Sequence, residues 1–179
     1  METNKLKFTT LQNEIFRLLC RRVGKGINQR EIAQSLNVSP TAVGKALKGL
    51  KGFVKVSKTG KMNLTSVELN RAEGFIIQLK RVENLKQVYE SGLADYLEGI
   101  YPGATMVLFG SYSLGEDTIK SDIDIAVLGV REKKVSLGKF ERFLERTINI
   151  NYYKDQKKIN KNLKENILNG IVIHGMIGL

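Results

Sequence analysis

In "TTLQNEIFRLLCRRVG", Leu11, Ile15, Leu18 and Leu19 recur at intervals of three and four, which places them on one face of a helix. Thr9 or Thr10 caps its start, and it ends near Gly24. In "NQREIAQSLNV", Asn28 is a cap, Glu31 completes a capping box three residues on, and Ile32, Ala33 and Leu36 turn inward. "SPTAVGKALKGL" supplies Ser39 as cap and Pro40 at the first helical position, with Val43, Ala46, Leu47 and Leu50 inward and Thr41, Ala42, Lys45 and Lys48 outward. "FVKV" and "KMNLT" flank "SKTG", which predicts a β-hairpin turned at Gly60 and carrying Lys55, Lys58 and Lys61.

From Ser66 to about Gly99 the spacing is helical again, through Val67, Ala72, Phe75, Ile76, Leu79, Val82, Leu85, Tyr89, Leu93, Tyr96, Leu97 and Ile100. Gly74 and Gly92 weaken this helix and permit one break. Its apolar stripe packs on a second domain or forms a dimer seam. "ATMVLFG" and "IDIAVLG" then have the length and branching of two buried strands.

The composition sharpens this outline. A chain of 179 residues, 42% hydrophobic, suffices for two small domains. Residues 1–65 hold 13 Lys/Arg against 3 Asp/Glu, a net +10, whereas residues 66–179 hold 16 against 15, a net +1. Such asymmetry predicts a boundary near residue 65 and a polyanionic partner for the first segment; a Lys-rich solubilising surface is the alternative. No apolar leader opens the chain and no run nears the roughly 18 apolar residues that span a bilayer, so the expectation is a cytoplasmic protein with no membrane partner. Cys20, the only cysteine, excludes an internal disulfide and reads as core filler. The only histidine, His174, cannot build a His-rich metal site.

Three helices, a short "NVS" turn between the second and third, and a basic hairpin resemble a winged helix-turn-helix DNA-binding domain over residues 1–65. The resemblance implies that the helix from Ser39 to Leu50 enters the major groove of duplex DNA, with Thr41, Ala42 and Lys45 near base edges, Lys48 beside them, and Lys55, Lys58 and Lys61 on phosphates. A winged helix also serves as a protein-docking module.

Between the two strands lie Gly110 and Ser111, and at the second strand's start Asp122 and Asp124. A glycine lets backbone approach a phosphate, and a hydroxyl beside free N–H groups at a helix start can cradle it. Two carboxylates two residues apart on a strand share one face and repel unless a cation lies between them; paired hard oxygens favour Mg²⁺. "FGSYSLGEDTIKSDIDIAVLG" resembles the signature of the DNA polymerase β nucleotidyltransferase superfamily, in particular its minimal branch. The likeness covers residues 80–179, with a following helix "LGKFERFLERT", a third strand "ININ" and a closing helix "KINKNLKENILNG". It implies a small mixed α/β sheet with helices on one side, Gly110 and Ser111 on the triphosphate tail of a nucleotide such as ATP, and Asp122 and Asp124 on catalytic Mg²⁺.

The expected fold class is therefore α+β: a winged helix-turn-helix at 1–65, then a nucleotidyltransferase-like α/β domain with a leading helical bridge at 66–179. The superfamily places a third acid on the third strand; here that position is Asn149, whose amide cannot act as a general base. Asp155 lies too far along the chain to replace it, and Glu141 and Glu145 read as exposed helix charges. Two functions are open: a DNA-binding regulator whose second domain transfers a nucleotidyl group with Asp122, Asp124 and Asn149 at the reacting centre, or one whose inactive nucleotidyltransferase fold senses nucleotide or docks a protein. The resemblance also implies a small helical toxin-like partner, and DNA readers of this type imply a homodimer.

Overall fold

A computed structural model describes residues 7–59, 64–155 and 159–177. The protein is α+β, a winged helix-turn-helix followed by a nucleotidyltransferase-like α/β unit, and its internal contacts divide between Ile76 and Ile77. No helix among the described residues is long and apolar enough to cross a membrane.

In the first unit α1 spans Thr10–Arg21, α2 Gln29–Ser35 and α3 Pro40–Gly49. Each begins on a satisfied cap. Thr9 and Gln12 form a capping box, as do Asn28 and Glu31, while the Ser39 hydroxyl accepts from the Ala42 N–H. Ile15, Leu19, Cys20, Ile32, Val43 and Leu50 meet in the core. The sheet is β1 (Ile27–Asn28), β2 (Val54–Thr59) and β3 (Leu64–Leu69), in the order β1-β3-β2 and antiparallel throughout.

The helical expectation fails at its start. Residues 66–69 are strand, not the first turn of a helix, so the hairpin extends past residue 65. Val67 and Leu69 are buried while Glu68 is exposed, a period of two that the helical count overrode. Gly60 and Lys61 lie outside the described residues.

The second unit takes most of α4 (Gly74–Glu90), then α5 (Leu93–Ile100), the break between them lying at Gly92 with φ +74°. Its sheet contains β4 (Thr105–Phe109), β5 (Ile123–Leu128), β6 (Ile148–Tyr153) and β7 (Ile171–His174), ordered β6-β5-β4-β7. β5 runs parallel to β6, and β4 is antiparallel to both its neighbours. Three more helices complete the unit: α6 (Gly110–Leu114), α7 (Gly138–Leu144) and α8 (Lys161–Leu168).

Met106, Leu108, Ile123, Ile125 and Val127 point to one face, packed with Val88, Leu97, Tyr101, Phe140 and Leu144. Val107, Phe109, Ala126 and Leu128 point to the other, where Ile167 of α8 covers them. Helices thus lie on both sides, not one. Because β4 and β5 are apolar on both faces, each face needs cover, and the closing helix provides the second. The apolar stripe of α4 also departs from expectation. Val82 is 65% exposed, whereas Lys80, Asn84 and Gln87 are at most 2% exposed.

Candidate functional site

β4 leads its apolar run to Gly110, where the chain turns with φ +73° into the short helix α6 that carries Ser111. A left-handed φ is cheap only for glycine, and space demands glycine too: a Cβ there would lie 2.8 Å from Asp124 Oδ2. Register does the rest. Antiparallel pairing sets Phe109 opposite Asp124, and parallel pairing sets Asp124 opposite Asn149. Since Ile123 and Ile125 occupy the core face, Asp122 and Asp124 share the other.

The structure therefore brings Gly110, Asp122, Asp124 and Asn149 together at the ends of β4, β5 and β6. Asn149 Nδ2 donates to Asp122 Oδ2 at 3.1 Å and to Asp124 Oδ1 at 3.4 Å. Asp122 and Asn149 are exposed; Ser111 and Asp124 are half-buried. Among the described residues no group of three or more His, Cys, Asp and Glu side chains could hold a metal ion. Two carboxylates on one face nonetheless fit a single Mg²⁺, which takes one or two carboxylates and fills its octahedron with water and phosphate oxygens. The Asn149 amide could join it only through its oxygen, because Nδ2 is a donor.

The neighbouring acids have other places. Glu141 is not a merely exposed charge: half-buried on α7, its Oε1 accepts from the Ile148 N–H at 3.1 Å and so holds the start of β6. Asp155 is exposed beyond the end of β6. At that far end, burial pushes the Tyr152 phenol up, and its hydrogen bond with Tyr101 adds to the shift. Beside Asp122 opens a cavity of about 540 Å³, lined in part by Lys120, Arg142 and Arg146.

One group escaped the sequence reading. Asp117, 1% exposed, accepts at Oδ1 from Lys80 Nζ in direct contact and from Asn84 Nδ2 at 2.7 Å, and at Oδ2 from Arg146 Nη2 at 3.4 Å. Isolated Lys, Asn, Asp and Arg spread along the chain carry no periodic or motif signal. The one trace is that Lys80, Asn84 and Gln87 recur at helical spacing.

In the first unit Thr41, Lys45 and Lys48 are exposed along α3, with Ala42 half-buried beside them. On β2 Lys55 and Lys58 are exposed, Lys55 opposite Glu68 and Lys58 opposite Thr65. Lys61 is outside the described residues.

Residues 90–174 match the family model described as "Nucleotidyltransferase domain". No curated protein matches the chain. Similar solved structures include two variants of ZitR from Lactococcus lactis, one at 24% identity over 54% of this chain with a TM-score of 0.40, the other at 26% over 52% with 0.39. The adhesin competence repressor (AdcR) from Streptococcus pyogenes is 22% identical over 54% of this chain and 70% of its own, with a TM-score of 0.41. The chain spans 64% and 61% of the two ZitR chains.

Proposed function

We propose that the chain is a DNA-binding regulator whose second unit binds a nucleoside triphosphate, ATP first among them, together with Mg²⁺, and transfers its nucleotidyl group slowly or not at all. The observation that carries this reading is the convergence of Gly110, Asp122, Asp124 and Asn149, with the amide in hydrogen-bond contact with both acids. Gly110 lets a phosphate approach the backbone, and Ser111 offers its hydroxyl and N–H beside it. Asp122 and Asp124 would hold Mg²⁺. When bound, the ion would neutralise charge on the triphosphate.

Turnover would need a group to take the acceptor's proton as its oxygen attacks the α-phosphorus and pyrophosphate leaves. An amide cannot take it. Asn149 therefore supports retained binding over transfer, and it is also the observation behind a second reading. Its NH₂ satisfies both carboxylates without any cation, as an inactive fold kept for protein docking would require. Under the first reading duplex DNA meets α3 and the hairpin through Thr41, Lys45, Lys48, Lys55 and Lys58. A homodimer and a small helical toxin-like protein are the assemblies to look for.

Calorimetric titration of ATP with Mg²⁺ into the parent and into Asp122→Asn/Asp124→Asn separates the readings. Metal-dependent binding that the double variant loses, with DNA binding kept, supports the nucleotide site. Absence of binding in the parent leaves the docking fold.

A further inference from the structure

We propose that Asp117 is a positioning residue for the nucleotide site, clamping to one face of α4 the three segments that deliver Ser111, Asp122 and Asn149. The inference rests on the nucleotide-binding reading. Asn84 Nδ2 donates to Asp117 Oδ1 at 2.7 Å and to the Tyr112 carbonyl at 2.9 Å, which ties α6, the helix of Ser111, to the loop leading into β5. Arg146 Nη2 reaches Asp117 Oδ2 at 3.4 Å, and its Nη1 donates to the Glu145 carbonyl at 2.9 Å, which ties in the turn leading into β6. Lys80 joins Asp117 to α4 directly, and Asn84 Oδ1 accepts from Lys80 Nζ at 3.4 Å. Asp122 follows five residues after Asp117, and Asn149 three after Arg146.

The loop also lies hard against the helix backbone. Gly115, at φ +76°, leaves room for no side chain: a Cβ there would be 2.5 Å from the Ile77 carbonyl oxygen and 2.8 Å from the Arg81 nitrogen. So close an approach fixes where the loop begins, and the Asp117 network fixes where it continues.

Stability alone does not account for such a network. Removing two cations and a carboxylate from water costs several kcal/mol per ion, and well-packed apolar residues of similar volume often serve as well or better. What ions offer here is geometry. One carboxylate binds donors from two directions at defined distances, which oily contacts do not specify.

The test uses the full chain and three readouts: MgATP affinity by calorimetry, the melting midpoint, and hydrogen exchange of the amides of residues 118–124 and 147–150. In Lys80→Met/Asp117→Leu/Arg146→Met the network is replaced by apolar groups. The expected result is a folded protein with DNA binding unchanged, MgATP affinity weaker by about 10–100-fold, the range seen when outer-shell partners of metal ligands are lost. Amides of both segments should exchange faster, while those of residues 106–108 on β4 do not. Parental affinity with parental exchange in the folded triple variant overturns the proposal. Should that variant not fold, Asn84→Ala removes three of the hydrogen bonds, to Lys80, Asp117 and the Tyr112 carbonyl, and keeps every ion. An intermediate loss supports the clamp, and parental affinity and exchange overturn it. If the parent binds no MgATP, the nucleotide reading falls, and exchange alone decides the clamp: faster exchange sustains it and unchanged exchange refutes it.

Discussion

Replacing Asn149 by Asp perturbs the site at the atom that distinguishes the two functional readings. The amide now donates to Asp122 at 3.1 Å and to Asp124 at 3.4 Å. Asn149→Asp removes both donors, at about 0.5–1.5 kcal/mol each for hydrogen bonds with net stabilisation of the ordinary size. It also sets a third negative charge at similar range, where each like-charge contact costs about 1 kcal/mol in water and more where water is excluded. Asp122 and position 149 are exposed, so the water limit applies, and rotation of the new carboxylate relieves part of it. The metal-free variant should therefore lose about 2–4 kcal/mol. For a unit near 100 residues each kcal/mol moves the melting midpoint by about 4–8 °C, so the transition in EDTA should fall by about 10 °C or more. Saturating Mg²⁺ should restore it, because a cation among three carboxylates turns repulsion into ligation. The parent should respond much less. Melting curves of both proteins, with and without Mg²⁺, check the expectation. A variant that melts with the parent in EDTA, or that Mg²⁺ fails to rescue, would refute the reasoning. The same substitution restores a group able to accept a proton, so nucleotidyl transfer should rise above the parent's level.

Two further expectations concern single contacts. Gly110→Ala forces a left-handed φ at about 1–2 kcal/mol and drives a methyl against Asp124, so it should lower the melting midpoint and weaken MgATP binding by about 10-fold or more. Gly129→Ala, in the same unit at φ +85° with nothing within 4 Å, is the control that carries the strain alone and keeps nucleotide affinity; equal loss in both variants would show that strain, not the Asp124 contact, matters. DNA affinity of the parent should fall steeply with salt, and Lys45→Ala and Lys48→Ala should each reduce the log–log slope by about 0.9. Slopes measured by fluorescence anisotropy that stay at the parental value would remove α3 from the interface.

The features legible in the sequence are those set by local physics. Caps at Thr9, Asn28 and Ser39 act within three residues, so their residue types alone located three helices. Gly-Ser and the spaced acids were legible because strand alternation fixes which side chains share a face, and the sheet register sets Asn149 opposite Asp124. Legibility failed where a longer-range partner overrode the local pattern. Residues 66–69 became strand because β1 and β2 pair with β3 on its two sides. β7 was missed since "IVIH" is too short to announce itself, and only pairing with β4 makes it a strand. On α4 hydropathy misled outright: Val82 and Tyr89 face solvent, while Lys80 and Asn84 face the interior, where Asp117 awaits them.

That inversion bears on what the second unit is built to do. A site whose only purpose was a docking surface would need no buried ion network behind its two carboxylates. Holding Asp122 and Asp124 on one face costs repulsion, which the Asn149 NH₂ relieves only while it points at them. The Asn149 amide could join a bound Mg²⁺ only in the opposite rotamer, since only its oxygen can ligate. For Asn149 to join a cation held by Asp122 and Asp124, its amide would have to turn over and give up both hydrogen bonds, so the protein would offer Mg²⁺ alone little more than the two carboxylates. A nucleotide's phosphate oxygens would supply the hard oxygen donors that a third carboxylate would otherwise provide. On the proposed nucleotide-binding reading, metal and nucleotide would therefore bind together, and registering the complex of both is the form of sensing that needs no turnover.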